Sequence, residues 1–233
     1  MKWKSSAKPS GTPVDKIVDH GSPNHGPRGA AVDTLVLHYT GMKSAAAALD
    51  RLCDPAAKVS AHYLIDEDGA VLRLVDEARR AWHAGVARWR GHSDINDRSV
   101  GIELVNPGHE HGYRRFPEPQ MAAVIALSHG IVARHAIPAR NVVGHGDVAP
   151  DRKSDPGELF DWRRLADAGI GLWPDPCAGR IERIPAMLRR FGYDTGGDGA
   201  LAAFQRHFRP ARVDGIGDRE SARCLAGLMA LIG

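Results

Sequence analysis

Between Val142 and Gly157 the chain reads VVGHGDVAPDRKSDPG, placing one histidine, one lysine and three aspartates in a segment full of glycine and proline. Such a segment cannot bury a broad apolar face, so its polar side chains answer to something other than packing. Two residues of the same chemical kind stand near the ends of apolar runs: His38 in DTLVLHYT and Glu103 in SVGIELVN. Two imidazoles and one carboxylate make a catalytic zinc set, with three protein ligands and a fourth position left to water. The charge remaining on such a centre polarises a carbonyl and acidifies the water. Spacing alone does not single out the set: the chain holds 12 histidines, and any one of them is more often a surface or core residue.

These side chains need elements to bring them together. Residues 33–40 form a short apolar run with β-branched members, the pattern of a buried strand. SAAAALDRLC follows as a helix, with Ser44 placed to cap it and Pro55 just beyond its end. SAHYLIDEDGAVLRLV reads as two strands joined in a hairpin at EDG. Residues 99–106 form a third buried strand, and 118–135 a helix with apolar positions at 121, 124, 125, 131 and 132. NVVGH is then a short strand that delivers His145 into the loop. Alternating strands and helices predict an α/β layer architecture, whose strand order is not legible. His38, Glu103 and His145 are expected at neighbouring strand ends, where α/β proteins hold ligands. In an extended segment residues two apart face the same way, so Lys153 and Asp155 should share that site, and Pro156 favours the extended form.

After GLWPDPCAG the texture changes to three short amphipathic helices, in RIERIPAMLRRFGYD, GALAAFQRHF and DRESARCLAGLMALI. The expected organisation is an irregular lead-in over 1–30, a catalytic domain over 31–176 and a three-helix domain over 177–233, with a modest core of its own.

Composition excludes several classes. The net charge of +3 is too small to imply nucleic-acid binding, and no basic run is interleaved with aromatics. No apolar run approaches the roughly 20 residues of a membrane span. The three cysteines are odd in number and far apart, so a disulfide framework is not expected and each reads as a small buried hydrophobe. MKWKSSAKPSGTPVD has charge but no apolar core, so it does not read as a secretory signal. A cytoplasmic location is the favoured expectation; a periplasmic or outer-membrane one is the alternative if a signal has been trimmed. A serine-nucleophile reading lacks a G-x-S-x-G elbow, and no cysteine has a matching context.

LVLHYT, SAHYLI, AWHAG, RSVGIELVN and VVGHGDVAPDRKSDPG occur here in the order in which their counterparts stand in the zinc-dependent N-acetylmuramoyl-L-alanine amidases. The chain resembles that amidase-2 family, which is related in fold to animal peptidoglycan-recognition proteins and phage T7 lysozyme. AWHAGVARWRG, RKSDPG, GIGLWPD and FQRHFRP are most similar to its AmiD-type branch. The resemblance implies a central mixed β-sheet flanked by helices and one Zn2+ per chain, held by His38, His145 and Asp155. It also implies a catalytic pair, Glu103 as general base and Lys153 facing the oxyanion. Tyr39, Trp82, His83 and Ala84 follow as substrate contacts, and His62 as a support for the ligands. Asp147 and Asp151 do not sit at the ligand position and are expected to cap the loop backbone or to bind solvent. In relatives like T7 lysozyme a catalytic tyrosine precedes the hairpin histidine, whereas Ala61 stands there in this chain; the base role therefore falls to Glu103. The implied partners are peptidoglycan fragments, with soluble anhydro-muropeptides favoured over intact sacculi. A non-catalytic peptidoglycan-binding module is the rival reading. The C-terminal helices resemble a peptidoglycan-binding domain, and packing against the catalytic domain would equally explain them.

Overall fold

A computed structural model describes residues 17–233 of the chain. Strands β1 (Ile17–Asp19), β2 (His25–Pro27) and β3 (Thr34–Tyr39) precede helix α1 (Ala45–Cys53). Strands β4 (Tyr63–Ile65) and β5 (Val71–Arg73) form the hairpin expected at EDG. Short strands β6 (Arg79–Ala81), β7 (Arg88–Trp89) and β8 (His92–Ser93) and one helical turn, α2 (Ile95–Arg98), lead into β9 (Ser99–Leu104). Then come α3 (Gly108–His111), α4 (Glu118–His135), β10 (Val142–Gly144), α5 (His145–Val148) and α6 (Trp162–Asp167). Three helices close the chain: α7 (Ile184–Phe191), α8 (Ala200–Phe208) and α9 (Arg219–Ile232).

Local chemistry sets the element ends. The Ser44 hydroxyl accepts the Ala47 N–H at 3.2 Å, so α1 starts where the sequence places its cap. Helix α4 carries proline in its first turn and ends at Ala136, whose left-handed backbone (φ 50°) sends its N–H back to the Val132 carbonyl.

The main sheet is mixed, in the order β1-β5-β4-β9-β3-β10; only the β4–β5 pair is antiparallel. The chain returns from β3 to β4 through α1 and from β9 to β10 through α4, so four parallel strands present their carboxyl ends together. Period-two alternation then sorts the side chains. Leu35, Leu37, Val100, Ile102 and Leu104 pack towards α4 in one core, whereas Val36 and Val143 lie in a second core with Leu188, Phe204 and Leu225 of the C-terminal helices. The three C-terminal helices thus lack a separate core and share one with the sheet's second face. The lead-in expected to be irregular to residue 30 is structured from Ile17: β1 extends the sheet beside β5, and β2 pairs with β6. Residues 1–16 of that segment lie outside the described residues. Of the cysteines, all free, Cys224 is buried, Cys53 half-buried and Cys177 exposed, so the buried reading holds for one alone. No described helix is long and apolar enough to cross a membrane.

Candidate metal centre

His38 and Glu103 are register partners across β3 and β9, and side chains at paired positions of parallel strands project to the same face. Val36 and His38 share that face by alternation, as do Gly101 and Glu103. His145 opens α5 directly after β10. Asp155 returns from the following loop, where the Gly146 N–H donates to the Asp155 carbonyl at 2.9 Å and ties the two ligand segments together.

Three atoms meet at this point. His38 Nδ1 lies 3.0 Å from His145 Nδ1 and 3.0 Å from Asp155 Oδ2, and His145 Nδ1 lies 3.1 Å from the same oxygen. All three residues are buried. The question is where the protons are, and the surrounding bonds answer it. His145 Nε2 is 3.1 Å from the Ala84 carbonyl, which can only accept, so the proton sits on Nε2 and Nδ1 is bare. A longer relay fixes His38. The Ser99 hydroxyl donates to the Ile95 carbonyl at 2.6 Å, so its oxygen accepts from His83 Nε2–H at 3.2 Å. His83 Nδ1 is then bare and accepts from His38 Nε2–H at 3.0 Å, leaving His38 Nδ1 bare as well. Burial, with the neighbouring His145 adding to it, pushes His38 down to about 4, so the ring does not regain a proton near neutrality. Burial opposes ionisation of Asp155, so a carboxyl held well below its ordinary range needs positive charge beside it, and two neutral rings bare at Nδ1 do not supply that charge.

Two lone pairs and a carboxylate oxygen therefore face one another about 3 Å apart with no proton between them. Such an arrangement repels itself unless a cation sits among the three. Ligands bound at about 2.0–2.1 Å in a tetrahedral site stand roughly 3.3 Å apart, close to the spacing here. Each bare nitrogen is oriented by a hydrogen bond through the other ring nitrogen, which is how proteins hold metal-ligating histidines.

The centre lies at the wall of a cleft of about 490 Å3 lined by Tyr39, Trp82, Glu103, His109, Lys153 and others. A second lobe of about 610 Å3 opens past Trp82 and is lined by Lys58, Arg80, Arg152 and Lys153, with no acidic side chain among the described residues.

The N-acetylmuramoyl-L-alanine amidase family profile, amidase-2, matches residues 28–158. The chain is 37% identical to the N-acetylmuramoyl-L-alanine amidase AmiD of Escherichia coli over 87% of its own length and 84% of that protein's. This chain belongs to the amidase-2 family. Among solved structures this amidase is similar to E. coli AmiD in complex with its substrate anhydro-N-acetylmuramic acid-L-Ala-D-gamma-Glu-L-Lys, at TM-score 0.80 and 33% identity over 94% of each chain. It is also similar to AmpDh3 of Pseudomonas aeruginosa with an anhydromuramic pentapeptide, at TM-score 0.78 and 34% identity over 88% of this chain and 94% of that one. The smaller 1,6-anhydro-N-acetylmuramyl-L-alanine amidase AmpD of E. coli is 40% identical over 46% of this chain and 57% of its own length.

The remaining residues expected in the amidase site fall into two groups. Glu103 is half-buried, and its Oε2 is shielded from solvent without a hydrogen-bond partner among the described residues. Burial first, then Asp155, pushes its carboxyl up to about 8, and Lys153 acts against that rise. Lys153 is exposed at the cleft and makes no ion pair within 4.0 Å among the described residues. Tyr39 and Trp82 are half-buried and line the cleft as expected contacts would. His83 and Ala84, expected as contacts too, also face inwards: the His83 ring orients His38, and the Ala84 carbonyl orients His145. His62 stands one layer further out and touches no ligand; its Nδ1 accepts the Gly101 N–H at 2.9 Å and its ring meets His83 edge-on.

Sequence reasoning missed Ser99, Gly101, Asn96 and Tyr113. The Asn96 carboxamide oxygen accepts the N–H groups of His83 and Ala84 at 3.0 and 2.7 Å, fixing the turn that carries both. Tyr113 donates to the Pro156 carbonyl at 2.7 Å and pins the loop behind Asp155. Gly101 is the legible one, since glycine inside an apolar strand marks a close approach. A Cβ there would stand 2.6 Å from the His83 ring. Gly101→Ala is expected to displace His83 and to cost about 1–3 kcal/mol of stability, the scale of overpacking; urea denaturation checks this, and an unchanged midpoint would remove the ring from its seat on β9.

Proposed function

We propose that the protein hydrolyses the amide between N-acetylmuramic acid, in its 1,6-anhydro form, and the L-alanine of peptidoglycan stem peptides, using one zinc ion held by His38, His145 and Asp155. The observation that carries this reading is the proton-free triangle of donor atoms 3.0–3.1 Å apart at a cleft wall. A zinc ion there would polarise the lactyl carbonyl and acidify a water. Glu103, beside His38 on the neighbouring strand, takes a proton from the attacking water and passes it to the leaving amine. Lys153 stabilises the negative charge that develops on the tetrahedral oxygen. The acid-free lobe beyond Trp82 suits the carboxylates of a stem peptide, by charge complementarity. The printed substrates of the AmiD and AmpDh3 complexes support the anhydro form.

The test is incubation with anhydro-muropeptide, reducing-end muropeptide and intact sacculi, following free stem peptide by chromatography. Release from the anhydro substrate, abolished by chelator and restored by zinc, is the expected result. Binding without release would favour a recognition module, and preference for sacculi would overturn the substrate form.

A further inference from the structure

The loop from His145 to Glu158 carries four carboxylates, and the cleft uses one. Asp147 and Asp151 turn the other way, towards the C-terminal helices, and Glu158 lies between His109 at the cleft, 3.1 Å away, and Arg206 of α8. Asp147 is buried and accepts three bonds: from the Gly144 N–H at 2.7 Å, from His207 of α8 at 2.7 Å and from the Tyr193 hydroxyl, just after α7, at 2.6 Å. His207 is itself clamped, its ring stacked on Trp162 at 3.7 Å and on Phe208 at 3.8 Å. Asp151 accepts the Gly199 N–H at 2.8 Å, and Glu158 lies 3.8 Å from Arg206. The Asp151 contact is exposed and the Glu158–Arg206 pair is long and half-buried, so both carry little. Asp147 differs because a buried carboxylate is stable only with its hydrogen bonds made.

We propose that Asp147 is the positioning residue of the metal loop and that the C-terminal helices hold it in place through His207 and Tyr193. This rests on reading His38, His145 and Asp155 as the metal centre. The path is short. Asp147 fixes the amide of Gly144, the residue before His145, and the turn it closes includes Gly146, whose N–H holds the Asp155 carbonyl. One of the three donor atoms therefore sits on a turn whose far side is clamped by α8 and Tyr193, and a second is tied to that turn through the Gly146 N–H. A loop this rich in glycine pays a large entropy on ordering, and the helices behind it supply the constraint. The C-terminal unit acts on the reaction through the loop, whatever else it binds.

The experiment measures zinc affinity by competition with a chromophoric chelator, on the full chain and well below each variant's melting temperature. The variants are Asp147→Ala and the double change Tyr193→Phe with His207→Phe, which keeps the aromatic packing and removes both donors. Leu228→Ala, a fully buried apolar site on α9 that makes no hydrogen bond to the loop carboxylates, is the control for lost stability alone, and Asp155→Ala the reference for a lost ligand. The expected result is zinc affinity roughly tenfold weaker in Asp147→Ala and in the double variant, the lower end of what partners behind metal ligands cost. Leu228→Ala should melt earlier yet bind zinc as the parent does. Parental affinity in both loop variants while Asp155→Ala has lost zinc would overturn the proposal and leave the metal centre standing. Equal weakening in Leu228→Ala would overturn it too, and a parent chain without zinc would overturn both readings.

Discussion

Glu103→Ala is expected to keep its zinc and to lose turnover by about a hundredfold or more, the scale of losing a general base. The reasons lie in its position. Register places Glu103 beside His38 on the cleft face, and no group among the described residues takes its Oε2. An unsatisfied buried carboxylate oxygen is costly, and burial here has pushed the carboxyl up to about 8. The sign for pH follows. A raised value means the acid form persists to higher pH, so the base is lost as pH falls and kcat/KM should drop on the acid side. A dication at the neighbouring triangle favours the carboxylate, so the midpoint should fall below 8 in the zinc-loaded enzyme. Turnover of anhydro-muropeptide across pH, with zinc content by elemental analysis, checks both points. Near-parental turnover in Glu103→Ala, or an unaltered acid limb in what activity remains, would remove Glu103 from the mechanism.

Asp155→Ala is expected to lose the metal itself. It removes the only anionic donor and leaves two neutral imidazoles whose bare nitrogens face each other 3.0 Å apart. Removing a partner behind a ligand costs about ten- to a hundredfold in affinity, and removing the charged ligand should exceed that. Zinc content after dialysis should fall to background, with hydrolysis falling in parallel. Full zinc occupancy in this variant would place the ion elsewhere.

Both predictions lean on features of uneven legibility. Strands β3 and β9 were readable because strands buried on both faces appear as continuous apolar runs. Helices α1, α4, α7, α8 and α9 were readable from caps and periodicity. Strands β1, β2, β7 and β8 were not: each has two or three residues, most of them exposed, and no periodic signal fits in so few. Sheet order was hidden because it is set by which faces find cover, a long-range matter. The ligand trio came from motif resemblance, while its proton arrangement came only from the fold, since Ser99, His83 and His38 meet through the missing side chain of Gly101. The loop's surplus aspartates could be read as caps, as Asp147 is at Gly144. Their partners Tyr193, His207 and Gly199 lie some 50 residues or so further along and left no local trace.

The central claim is that one divalent cation joins residues 38, 145 and 155. Anomalous diffraction collected on both sides of the zinc absorption edge, from crystals of the protein supplied with zinc, tests it most directly. The account predicts one strong peak bonded to His38 Nδ1, His145 Nδ1 and Asp155 Oδ2, with Glu103 nearby but not bonded. A peak on other side chains, or those three donors converging with no peak between them, would contradict it.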